Sequence, residues 1–147
     1  ESYKATLSLT GDAAKGHQIF TTICAACHKR GAEGRELGPD LMTVIEHPPE
    51  KLLFSILDPS ADIQPGFNPY TCTMNTGEQI YGLLASENAN SVVLKLVDGT
   101  QKTVLRNQIK TLQSQSISLM PEGLEAAINP QQMAELIAFL HSPPTTK

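Results

Sequence analysis

Residues 24 to 28 read Cys24-Ala25-Ala26-Cys27-His28, and no other stretch of the chain restricts so tightly what it can become. Two thiols three positions apart lie about one helical turn from each other, and an imidazole follows the second directly. C-x-x-C-H is the attachment sequence of a c-type haem. Each cysteine can add to one vinyl group of the same porphyrin, and His28 is then placed under the iron as an axial ligand. A redox C-x-x-C or half of a zinc site shares the cysteine spacing. The first belongs with a βαβ pattern, the second with another pair of Cys or His ligands at short spacing. Neither accompanies the motif, since His17, His47 and His141 are scattered singly and Cys72 is the only other cysteine.

A haem site needs a core to hold it, and 147 residues with 40% hydrophobic content suffice for one domain, or one with a sizeable insertion. No run of about 18 apolar residues exists, so no transmembrane helix is expected. The chain starts at Glu1 without methionine or signal peptide, and is expected to be a processed product or a domain of a longer protein. Cys24 and Cys27 are committed to haem, which leaves Cys72 unpaired and no internal disulfide framework. The net charge of −4 argues against nucleic acid and anionic membrane surfaces as partners.

Asp12 to Ile23 reads as a helix with Asp12 at its N-cap or first turn. Ala13, Gly16, Ile19, Phe20 and Ile23 make a narrow buried stripe running into the haem motif. Gly16 is costly inside a helix, so a tight crossing with another helix is expected. The partner is the last helix, where Asn129 is the cap, Pro130 the first position and Gln132 completes a capping box. Met133, Leu136, Ile137 and Leu140 are its buried stripe, and Pro143-Pro144 stops it. Between these lie a glycine- and charge-rich loop from Lys29 to Asp40, expected to wrap the haem edge, and a short helix from Pro49 to Leu57. From Tyr70 the period turns to two. Runs at 70–75, 79–86, 91–97, 100–105 and 109–112 read as successive antiparallel strands with turns at Thr76-Gly77 and Asp98-Gly99. Cys72 reads as a small buried hydrophobe among them. His17 and His47 read as solvated, and His141 as a cation at a helix end.

The order of these features resembles class I cytochrome c. Gly16 and Phe20 precede Cys24, Cys27 and His28, Gly38-Pro39-Asp40-Leu41 follows, and Met120-Pro121 comes shortly before the final helix. The resemblance covers about residues 10–67 and 117–141, with 68–116 as an inserted antiparallel β module and 1–9 and 142–147 as loose termini. It implies a mainly α cytochrome c core of three to five helices around one haem c. With a small inserted sheet or SH3- or Sm-like barrel, the fold class is α+β overall. It also implies that the Pro39 carbonyl orients His28. More narrowly, Leu57-Asp58-Pro59-Ser60-Ala61 and Ser118 to Leu124 resemble the haem-binding domain at the C-terminal end of large exported proteins of planctomycetes and verrucomicrobia.

The function implied is electron carriage rather than catalysis. One covalently attached haem c, with iron between His28 and Met120, passes electrons from an exported dehydrogenase, neighbouring or fused, to a downstream acceptor. Periplasmic or exported localisation goes with that attachment. Met120 is also reached by elimination. Met42 follows the Gly-Pro-Asp-Leu turn closely, Met74 belongs to a strand and Met133 to a helix core, whereas Met120 sits in an irregular stretch stiffened by Pro121. The alternative is a haem-based gas sensor or haem enzyme with a weak or open sixth position.

Overall fold

The computed structural model describes residues 2–144. Packing divides the chain into two units, one from Glu1–Asp62 with Pro121–Lys147 and one formed by Ile63–Met120.

The first unit holds α1 (Ala13–Ile19), a hairpin of β1 (Lys29–Arg30) and β2 (Glu33–Gly34), α2 (Pro49–Leu57) and α3 (Pro130–His141). Asp12 caps α1, its carboxylate accepting from the amides of Ala14 and Lys15. The helix expected to reach Ile23 changes at Phe20 into a π-turn, Phe20–Cys24. There the Thr21 and Thr22 hydroxyls donate to the carbonyls of His17 and Gln18 at 2.9 and 2.8 Å, the back-bonding by which such side chains bend a helix. α1 crosses α3 closely because Gly16 has no side chain, and a Cβ there would run into the Glu135 carbonyl and Phe139 Cβ. The capping box of α3 forms as expected. The Gln132 amide donates to Asn129 Oδ1 at 2.8 Å, and the Asn129 amide to Gln132 Oε1 at 3.0 Å. Phe20, Ile128, Met133 and Leu136 are buried where these elements meet. On α2 the inward residues are Leu52, Leu53 and Ile56.

Ser2–Ser8, expected loose, forms a 3-10 helix. The Tyr3 hydroxyl reaches the Glu125 and Ile128 carbonyls at 2.6 and 2.7 Å, and Thr6 Oγ1 donates to the Pro130 carbonyl at 3.3 Å. Of the other terminus, residues 145–147 lie outside the described residues.

The second unit is one antiparallel sheet of β3 (Pro69–Met74), β4 (Gln79–Glu87), β5 (Ser91–Lys95), β6 (Gln101–Leu105) and β7 (Ile109–Ser114). The strand order is β6-β5-β4-β3-β7. Alternation turns Cys72, Ile80, Val92, Leu94 and Val104 into a common core, with Met74, Leu84 and Leu96 packed against it. Burial pushes the Cys72 thiol up from its ordinary value, as suits a small hydrophobe. The Gln115 amide donates to the Pro69 carbonyl at 2.8 Å, and Asn68 Nδ2 to the Gln115 carbonyl at 3.1 Å. The chain therefore enters and leaves the sheet at one place. Among the described residues β6 and β7 are edge strands, so hydrogen bonding does not close a barrel.

A mainly α cytochrome c core of three to five helices with a small inserted antiparallel sheet or barrel is not what the chain forms. Helix accounts for 35% of it and strand for 25%, including a five-stranded antiparallel sheet. The three α-helices have only 7, 9 and 12 residues. Backbone chemistry explains the shortfall. Threonine back-bonding ends α1, Pro48 and Pro49 fix the start of α2, and Asp58-Pro59 bars its continuation.

Candidate functional site

The π-turn carries Cys24 off α1, and a tight turn follows in which the amides of Cys27 and His28 donate to the Cys24 carbonyl at 3.1 and 2.9 Å. Residues 35 to 38 fold back along it. The Arg35 amide donates to the Ala25 carbonyl at 3.1 Å and Arg35 Nε to the Ala26 carbonyl at 2.9 Å. The amides of Leu37 and Gly38 donate to the Cys27 carbonyl at 3.0 and 2.6 Å. Every carbonyl from Cys24 to Cys27 thus has a donor, and the turn is held without using either thiol.

Cys24 and Cys27 are half-buried and unpaired. Burial, with Cys27 adding in the same direction, pushes the Cys24 thiol from 9.0 up to about 11. It is a neutral S–H at neutral pH. His28 Nδ1 lies 2.7 Å from the Pro39 carbonyl, the contact expected of that residue. A carbonyl can only accept, so Nδ1 carries the hydrogen and Nε2 the lone pair. Burial lowers the His28 pKa and the bond to Pro39 opposes this, which favours the neutral ring. Beside it, a Cβ on Gly38 would stand 2.7 Å from His28 Cε1 and 2.9 Å from Nδ1, so only glycine leaves the imidazole in place. Asp40 then accepts from the Met42 amide at 2.9 Å and starts the 3-10 turn Leu41–Val44. A pair of half-buried cysteine sulfurs and an imidazole with one free nitrogen fit a covalently held haem. Among the described residues no three of His, Cys, Asp and Glu gather as a metal-ion site.

Around this turn lie contacts that no motif announced. His17 Nε2 is 2.7 Å from Glu33 Oε2, and its ring stacks on Phe139 with centroids 4.8 Å apart and planes 11° from parallel. Arg30, buried on β1, lies with its guanidinium carbon 4.3 Å from the Phe139 centroid. His141 Nε2 donates to the His47 carbonyl at 2.7 Å. These residues are far apart in sequence, and a bond to a backbone carbonyl leaves no trace in residue type. The one legible hint was the apolar stripe of α3, which supplies Phe139.

Cys24, Cys27 and His28 come together in the first unit, whereas Met120 is the last residue of the second. Met120 is half-buried outside any helix or strand, and its amide donates to Ser118 Oγ at 3.1 Å. The other methionines have settled places. Met42 is in the 3-10 turn, Met74 Sδ is 4.0 Å from Cys72 Sγ, and Met133 is fully buried in α3.

Comparison with known proteins agrees with this chemistry. The sequence model of the Cytochrome c family matches residues 13–143. A cytochrome c of Arabidopsis thaliana is 50% identical over 38 residues, which are 25% of this chain and 34% of that relative. The match thus spans about a third of that relative's length.

Proposed function

Because this chain belongs to the cytochrome c family, which carries covalently attached haem c, we propose that it is a single-haem electron-transfer domain. In this reading Cys24 and Cys27 would hold the porphyrin, and His28 and Met120 would ligate its iron. The haem supplies a one-electron iron couple. This chain's residues hold, orient and shield.

The observation that carries the reading is the 2.7 Å bond from His28 Nδ1 to the Pro39 carbonyl. It fixes the tautomer, leaves Nε2 as the ring nitrogen with a lone pair and makes the imidazole a stronger base. Gly38 lets the ring lie flat against the backbone. Met120 is supported by its irregular backbone, by Pro121 after it and by the packing roles of the other methionines. With Met120 as a ligand, its soft thioether sulfur would favour ferrous iron and raise the potential.

The electron donor on this reading is an exported dehydrogenase, fused or neighbouring, and the acceptor a further soluble carrier or oxidase. The likeness of 57–61 and 118–124 to planctomycete and verrucomicrobial haem-binding domains favours a fused architecture and an exported, periplasmic setting. Among the described residues no helix is long and apolar enough to cross a membrane.

Acid–acetone extraction tests the attachment, and the colour should stay with the protein. Replacing Met120 by alanine should abolish the weak near-infrared sulfur-to-iron band of the ferric protein and open the ferrous iron to carbon monoxide. A band that survives the substitution removes Met120 from the site. Immediate carbon monoxide binding by the unaltered protein would favour the sensor or enzyme alternative.

A further inference from the structure

Arg30 lies on β1, two residues beyond His28, and only 6% of it is exposed. Its Nη2 donates to the Ser142 carbonyl just past the end of α3 and lies 3.4 Å from Ser142 Oγ. Its guanidinium stands over the Phe139 ring. Its Nε is buried without a hydrogen-bond partner. Among the described residues no carboxylate forms an ion pair with it. Glu33 and Asp40 act on it only at a distance, and the Glu33 carboxylate is taken by His17.

This is an expensive way to fill a place beside Phe139. Withdrawing a cation from water with no carboxylate in contact costs more than a helix C-terminus or an aromatic face ordinarily returns. A methionine or leucine would pack there without that penalty. What an apolar residue could not supply is a fixed positive charge near the haem-attachment turn, in a region where water screens little.

We infer that Arg30 is a potential-setting residue, whose buried charge, with no carboxylate in contact, disfavours the ferric over the ferrous iron and so raises the reduction potential. Oxidation removes one electron to the partner and leaves one more positive charge in the site, which a nearby fixed cation opposes. The inference rests on the proposed haem ligation by His28. Arg30 acts through its field, its own contacts being Ser142 and the Phe139 ring.

The test is an optical redox titration of the haem-loaded chain, unaltered and with Arg30→Gln or Arg30→Lys, beside thermal unfolding of each. Glutamine keeps a donor for the Ser142 carbonyl and loses the charge, so its midpoint potential should fall while the near-infrared band stays. Lysine keeps the charge, so it should titrate close to the unaltered protein even if it unfolds earlier. A glutamine variant with unchanged potential and reduced thermal stability would make Arg30 only a cap for α3 and overturn the inference. Should glutamine prevent haem uptake, lysine decides. A lysine variant that takes up haem yet titrates well below the unaltered protein overturns it equally. Absence of any reversible iron couple in the unaltered protein would instead sink the electron-transfer reading itself, before any variant is made.

Discussion

The two units gather their contacts over different distances along the chain. In Ile63–Met120 most strand pairings join neighbours in sequence, β3 with β4, β4 with β5 and β5 with β6, and only β7 returns across the sheet to β3. In the other unit the deciding contacts are remote. α1 packs on α3, Tyr3 reaches Ile128, and Arg30 reaches Ser142. A sheet of hairpins can be complete when its own segment is present, and its ends are already tied by Asn68, Pro69 and Gln115. The helix that leads into the haem-attachment turn, α1, packs on a helix supplied more than a hundred residues later, with the whole sheet between them in sequence. The chain therefore combines one region of mostly local order with one whose site waits for distant packing.

The sharpest way to break this comparison is to remove both haem-holding sulfurs. Replacing Cys24 and Cys27 by alanine should abolish covalent colour completely, while amide exchange across residues 69–114 stays protected. Loss of that protection would show that the sheet needs the haem-carrying unit. Next in size is removal of the sheet. Joining Phe67 to Ile117 through a short glycine linker should preserve haem attachment per chain, and an exported product without haem would show that the two regions are not separable.

Single side chains sharpen the same contrast. Leu94, fully buried in the sheet core, should cost that unit about 2–5 kcal/mol on change to alanine, leaving the haem absorbance as it was. Gly16→Ala should cost the other unit about 1–3 kcal/mol through overpacking against α3. Urea unfolding followed separately by amide exchange and by haem absorbance would read each, and equal loss in both units from either substitution counts against independent folding.

The smallest effect concerns pH and the haem-free chain. With the folded thiol of Cys24 raised from 9.0 to about 11, the folded state holds its proton longer than the unfolded one. The resulting stability is present below pH 9 and is lost as pH rises toward about 11. A thioether does not titrate, so the haem-loaded chain should lack this loss. Unfolding midpoints at pH 8 and 10.5 for both forms would show it, and a haem-free chain as stable at pH 10.5 as at pH 8 would remove the burial argument.

Much of this was legible in residue order. The spacing of Cys24, Cys27 and His28, the caps at Asp12 and Asn129, the crossing at Gly16 and the alternation from Tyr70 onward are local patterns. Local patterns are written in local sequence, because hydrogen-bond periodicity and side-chain alternation act over a few residues. The share of helix was not legible, since apolar spacing through Ile23 could not show that Thr21 and Thr22 would bend the turn, nor that nearly as much regular structure would lie in strands.

By itself the amino-acid order determined the cofactor chemistry, the ends of α2 and α3, and the succession of strands, because each depends on the identity and spacing of nearby groups. Only the tertiary structure decided that Arg30 is buried with no carboxylate in contact, that Glu33 turns to His17, that Tyr3 anchors the first residues and that residues 35 to 38 hold the haem-attachment turn. These join groups whose partners are distant side chains or anonymous backbone carbonyls, and a residue's type carries no record of which carbonyl will be within its reach.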